Sequence, residues 1–101
     1  GAGAISLAVR VEAHAVTAGM FENATVRVET LRLGETAVIS SQAAQLVSSA
    51  DPLRRAATSV LELVRLPPDD YVIRVTIEGA DGRVLGQQAR VLSWAGARLR
   101  P

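Results

Sequence analysis

Over most of this chain an aliphatic residue returns at every second position, a rhythm that suits an extended strand with one dry face and one wet face. In the first segment Ile5, Leu7, Val9 and Val11 fall on one side, and Ser6, Arg10 and Glu12 on the other. Residues 25–33 alternate as cleanly, but their apolar phase slips between Val28 and Leu31, which predicts a bulge or a switch of sheet there. Gly34-Glu35 then reads as a turn into residues 36–40. Further on, Tyr71, Ile73, Val75 and Ile77 alternate with Val72, Arg74, Thr76 and Glu78, and Gly79-Ala80-Asp81-Gly82 follows. An Asp-Gly between two alternating runs supplies the positive-φ position that a tight antiparallel connection requires. A hairpin is predicted, its second arm running from Arg83 through Gln87, Ala89 and Val91 to Ser93.

The middle of the chain carries two periods at once. Asp51-Pro52 is a good N-cap and first-helical-residue pair, and Ala56, Ala57, Val60, Leu61, Leu63 and Val64 cluster on one side of a helical wheel. The same residues also read as a turn at 52–55 and a strand at 57–64, with Leu61 and Leu63 inward and Glu62 outward. Because consecutive elements tend to pack together and the surroundings are β, the strand is the preferred reading, and a short helix around 52–65 stays open. Residues 41–50, rich in Ala, Ser and Gln, fit either an edge strand or a loop.

A chain of 101 residues suits one core, and 49% hydrophobic residues can fill it. Aromatic residues make up only 3%, so Val, Leu, Ile and Ala must build that core. The expected fold is all-β: an immunoglobulin-like antiparallel β-sandwich of about seven strands. It would span residues 5–95, after a 1–4 linker or expression remnant and before a 96–101 C-terminal tail.

The run Arg65-Leu66-Pro67-Pro68-Asp69-Asp70-Tyr71-Val72-Ile73-Arg74-Val75 resembles the Leu-Pro-Pro-Gly-x-Tyr-x-Leu-Arg-Val turn and strand of bacterial immunoglobulin- or fibronectin-like β-sandwich domains found alongside von Willebrand factor A-related modules. The likeness continues into Gly82-Arg83-Val84-Leu85-Gly86-Gln87 and covers roughly 57–92, with Asp69 standing where the pattern has glycine. The resemblance implies an accessory sandwich domain placed outside the cytoplasm (cell surface, periplasm or secreted), and it brings no catalytic residues with it.

Composition narrows the chemistry. With no cysteine there is neither a disulfide framework nor a thiolate nucleophile or metal site. A net charge of +1, with arginines scattered from Arg10 to Arg100, gives no electrostatic case for nucleic acid, and no apolar run is long enough for membrane insertion. His14 is the only histidine, and no nucleophile elbow accompanies it, so no catalytic residue is assigned. Asp69-Asp70 is the one acidic pair in a loop, Asp51 stands alone and Asp81 belongs to the hairpin turn, so neither a metal site nor a cofactor is assigned. Asn23-Ala24-Thr25 is a formal glycosylation triplet read as accidental, and Arg54-Arg55 reads as a solvated turn.

Met20, Phe21 and Trp94 are the bulky residues left over, and two accounts compete for them. They plug the ends of an aliphatic core, or Met20-Phe21 forms an exposed anchor for a partner with Trp94 as a further contact. The expected function is a non-catalytic structural spacer or protein-binding module, its partner another protein or neighbouring domains of the same chain. Weak self-association through an edge strand at 41–49 is a further expectation, and a carbohydrate- or Ca²⁺-binding accessory module attached to an enzyme is the alternative.

Overall fold

The computed structural model describes residues 6–14, 19–48, 51, 53–63 and 66–96. The 1–4 linker lies outside the described residues, and of the 96–101 tail only Gly96 lies within them. Every regular element among the described residues is a strand: β1 (Ser6–His14), β2 (Thr25–Arg32), β3 (Val38–Ala44), β4 (Val47–Ser48), β5 (Arg54–Glu62), β6 (Asp69–Glu78) and β7 (Val84–Trp94). They form two antiparallel sheets, ordered β1-β5-β4 and β3-β2-β6-β7. Six long strands carry the fold, and β4 is a two-residue stub on the margin of β5. The expected seventh strand is reduced to that stub.

The competition over the middle of the chain is settled in favour of the strand. β5 pairs with β1 without a break from Ser6↔Glu62 to His14↔Arg54, and no helix forms over its residues. The side chains also satisfied a helical wheel, but β1 offers a full ladder of backbone partners and a dry face for Ala57, Leu61 and Leu63, all buried. The capping chemistry of Asp51 serves a turn instead. Its Oδ1 accepts the Leu53 N–H at 2.9 Å, and its carbonyl accepts the Arg54 N–H at 3.1 Å.

β2 keeps its alternation through the phase slip, so Leu31 lies buried on the same face as Arg27 and Glu29, and the irregularity falls in the pairing with β3. Thr30 pairs with Ser40 but Leu31 pairs with Val38, so β3 carries Ile39 as an extra residue, while the β2–β6 ladder stays continuous. The β6–β7 hairpin closes as expected on Gly79–Gly82. The Gly82 N–H donates to the Gly79 carbonyl at 2.9 Å, Gly82 has φ of +82°, and Asp81 Oδ1 accepts the Arg83 N–H at 3.0 Å.

Between the sheets, Val26 and Val28 of β2 and Ile73, Val75 and Ile77 of β6 share one buried cluster with Ala57 and Leu61 of β5. Leu7, Val9 and Val11 of β1 join this core from its margin. One polar contact ties the layers together: Ser59 Oγ on β5 donates to Gln42 Oε1 on β3 at 2.9 Å.

The crossing from β5 to β6 is held from several directions. The Leu66 N–H donates to the Leu63 carbonyl at 2.9 Å, and Trp94 Nε1–H at the end of β7 donates to the Leu66 carbonyl at 2.9 Å. Tyr71 is fully buried, and its hydroxyl donates to the Pro67 carbonyl four residues upstream. Gly96 passes so near Pro68 that a β-carbon there would lie 2.8 Å from Pro68 Cγ, and its φ of +88° already favours glycine.

Tyr71→Phe keeps the ring and removes the donor to Pro67; it is expected to lower stability by about 1–2 kcal/mol, read as a fall in urea midpoint at unchanged slope. Gly96→Ala is expected to cost at least about 1 kcal/mol through backbone strain and the close approach. Adding Pro68→Ala should recover part of that loss, the share due to the side-chain collision.

Candidate interaction surfaces

The bulky residues singled out in the sequence are not gathered in one place. Phe21 sits in the turn after β1, which is closed by the Glu22 N–H on the Gly19 carbonyl at 3.0 Å and the Ala24 N–H on the Phe21 carbonyl at 3.1 Å. That turn uses positive φ at Gly19 and Asn23, and it folds the Phe21 ring into the core. The ring is almost fully covered and packs within the core cluster. Met20 is half-buried beside it. Trp94 lies at the other end of the sandwich, half-buried, with its indole N–H committed to Leu66.

The titratable candidates are dispersed as well. His14 is exposed at the end of β1. Asp69 Oδ2 lies 3.2 Å from Arg32 Nε while its Oδ1 accepts the Asp70 N–H at 2.8 Å. Asp81 is held in its hairpin turn, and Asp51 in the turn before β5. Among the described residues no three acidic or imidazole groups converge as metal ligands would. Arg54 and Arg55, expected in a turn, are instead the first two residues of β5, and Arg55 Nη1–H donates to the Arg54 carbonyl at 3.0 Å in an exposed contact. Of the 41–49 stretch, residues 41–44 belong to β3, the outermost strand of the four-stranded sheet, Val47-Ser48 form β4, and residue 49 lies outside the described residues.

The outer face of that sheet carries a run of charges across β2 and β6. Glu29 stands directly opposite Arg74, whose Nη2 and Nε lie 3.0 and 3.1 Å from Glu29 Oε1. Arg27 reaches the same oxygen at 3.6 Å and Glu78 at 2.7 Å. The Glu29 carboxylate is buried beneath these two guanidinium groups, and Gln87 Nε2–H donates to the buried Thr76 hydroxyl at 3.0 Å alongside. These side chains fasten neighbouring strands together.

A different feature appears where the sheets end. β1 is the last strand of one sheet and β7 the last of the other, and nothing among the described residues bridges them. Consequently Leu7, Val9 and Val11 stay half-buried although they point inward. On β7, Gln88 stands opposite Val75 and Arg90 opposite Ile73, which places both on the inward face, yet both are exposed. The gap is a groove along the flank: a lower part of about 400 Å³ between Leu7–Val11 and Arg90–Leu92, and an upper part of about 270 Å³ reaching Met20 and Leu85. Of the three bulky residues proposed as partner contacts, Met20 and Phe21 both line the upper part of this groove, Met20 half-buried and Phe21 almost covered, and Trp94 lines neither part.

Compared with models of protein families, with curated proteins and with solved structures, the chain matches none. Its function has to be read from the arrangement itself.

Arg74→Met is expected to destabilise the chain by about 1–3 kcal/mol, because it strips the nearer cation from a buried carboxylate. The double variant Glu29→Gln/Arg74→Met should lose less than Arg74→Met alone. Urea titrations of the two single variants and the double variant close the cycle.

Proposed function

We propose that this chain is a non-catalytic module of immunoglobulin-like, fibronectin-like type that acts as a structural spacer or protein-binding domain. The observation that carries the reading is the corner at Tyr71: a buried tyrosine at the start of a strand, its hydroxyl bonded to a carbonyl just upstream across the connection between sheets. Such a corner is a hallmark of Greek-key sandwiches. Strand order supports the same reading, since β2, β6 and β7 sit side by side with β3 outside β2, and β1, β5 and β4 face them. The likeness of residues 65–87 to bacterial surface modules supports a place outside the cytoplasm.

The mechanism is passive. Two sheets locked by an aliphatic core and by cross-strand ion pairs hold their margins at fixed positions, and those margins meet the neighbour. A spacer of this kind resists extension as one unit. Tandem copies pulled in a force spectrometer should therefore give one abrupt event per copy, each releasing roughly 300 Å at about 3.4 Å for each ordered residue. Gradual lengthening without discrete events would overturn the reading.

A further inference from the structure

We propose that the groove between β1 and β7 receives an extended strand from another polypeptide, apolar at its inward positions except for one carboxylate that meets Arg90. The proposal deepens the reading of the chain as a binding module and rests on it.

Three observations combine. First, β1 pairs with β5 on one side only, so alternate backbone N–H and C=O groups along its other edge have no ladder partner among the described residues. An added strand would satisfy them by extending the sheet, the usual way a sheet margin recognises a peptide. Nine residues of β1 offer a seat about 30 Å long. Second, the seat has a floor. Leu7, Val9 and Val11 point into the groove from one sheet and Leu92 from the other, all half-buried. The inward side chains of an incoming strand would complete a core that is closed on its other flank by Ser59 and Gln42.

Third, Arg90 specifies charge. Its side chain lines the groove on the inward face of β7, and it forms no ion pair with any described residue, whereas Arg10, Arg27, Arg32 and Arg74 each do. A strand laid over Leu92 and Gln88 passes this guanidinium, and a carboxylate there gains a charge-assisted hydrogen bond where an aliphatic residue would cover the cation. The same requirement argues against a second copy as the occupant. The inward row of β1 is Leu7, Val9, Val11 and Ala13, that of β3 is Ser40, Gln42 and Ala44, and that of β7 is Gly86, Gln88, Arg90 and Leu92. None of these edges carries an acid inward. Nor do residues 1–5, 15–18 or 97–101 contain an acidic side chain.

The test uses the full chain and two capped nine-residue peptides. In both, valine alternates with threonine, and one central valine position is taken by glutamate in the first and by lysine in the second. Amide hydrogen exchange followed by NMR should show the outward-pointing amides of β1 slowed about tenfold by saturating glutamate peptide, with the β5-paired amides little changed. The glutamate peptide should bind at least about fivefold more tightly than the lysine peptide, Arg90→Gln should abolish the preference, and Arg90→Glu should invert it. Equal binding of both peptides, or no protection of β1, overturns the proposal. Protection of β1 without peptide overturns it too, in favour of a second copy if it grows with protein concentration and of a covering segment of the same chain if it does not. None of these results touches the force measurement, so the spacer reading and the strand-acceptor reading fail separately.

Discussion

Each sheet of this protein has a largely aliphatic inner face that must be covered by the other, so the structure depends on how the chain crosses from one layer to the other. At residues 63–68 the crossing is held by a turn, by the Tyr71 hydroxyl on Pro67, by the Trp94 indole on Leu66 and by the close passage of Gly96 over Pro68. These contacts join the end of β5, the start of β6 and the end of β7 at one point. Once they are set, the registers of β5 with β1 and of β6 with β2 and β7 bring the inward rows into opposition. The aliphatic side chains supply the free energy of layering, but they are interchangeable in chemistry and would fit several alignments. The crossing selects one.

Much of the architecture is legible in the chain itself. Alternation marks β1, β2 and β6 and the Asp81-Gly82 pair marks the hairpin, whereas the bulge expected between Val28 and Leu31 has its extra residue, Ile39, in the neighbouring β3. Residues 54–62 are ambiguous because an inward Leu61 and Leu63 satisfy both a helical stripe and an alternating strand; only the long-range ladder with β1 distinguishes them. The flank groove is legible in principle. In β7 the inward phase reads Gly86, Gln88, Arg90, Leu92, and two polar residues in a row at positions that would be dry fit a flank that no described residue covers. That signal has meaning only once the partner register fixes which phase is inward. The packing of Phe21 is hidden for a similar reason: its turn uses positive φ at Gly19 and Asn23, and a single sequence does not reveal the direction of a turn.

The two faces of the four-stranded sheet divide the work. Its inner face supplies cohesion between layers, and its outer face uses Glu29, Arg74, Arg27 and Glu78 to fasten β2 to β6. With strands joined from both sides, the margin at β7 keeps its place without a cover, and an inward-facing Arg90 discourages indiscriminate pairing there. A charge that repels casual neighbours is also one that a particular neighbour can recognise.

The placement of Tyr71 and Trp94 has an optical consequence. The chain holds one tyrosine and one tryptophan, and both stand at the end of the sandwich where β5 crosses to β6. Its tyrosine and tryptophan absorption band and its tryptophan emission therefore report on that end alone. The far end, with Phe21, the Gly79–Gly82 hairpin and the last residues of β1, carries no such reporter. A molecule frayed at that end but intact at its corner would keep a native emission spectrum.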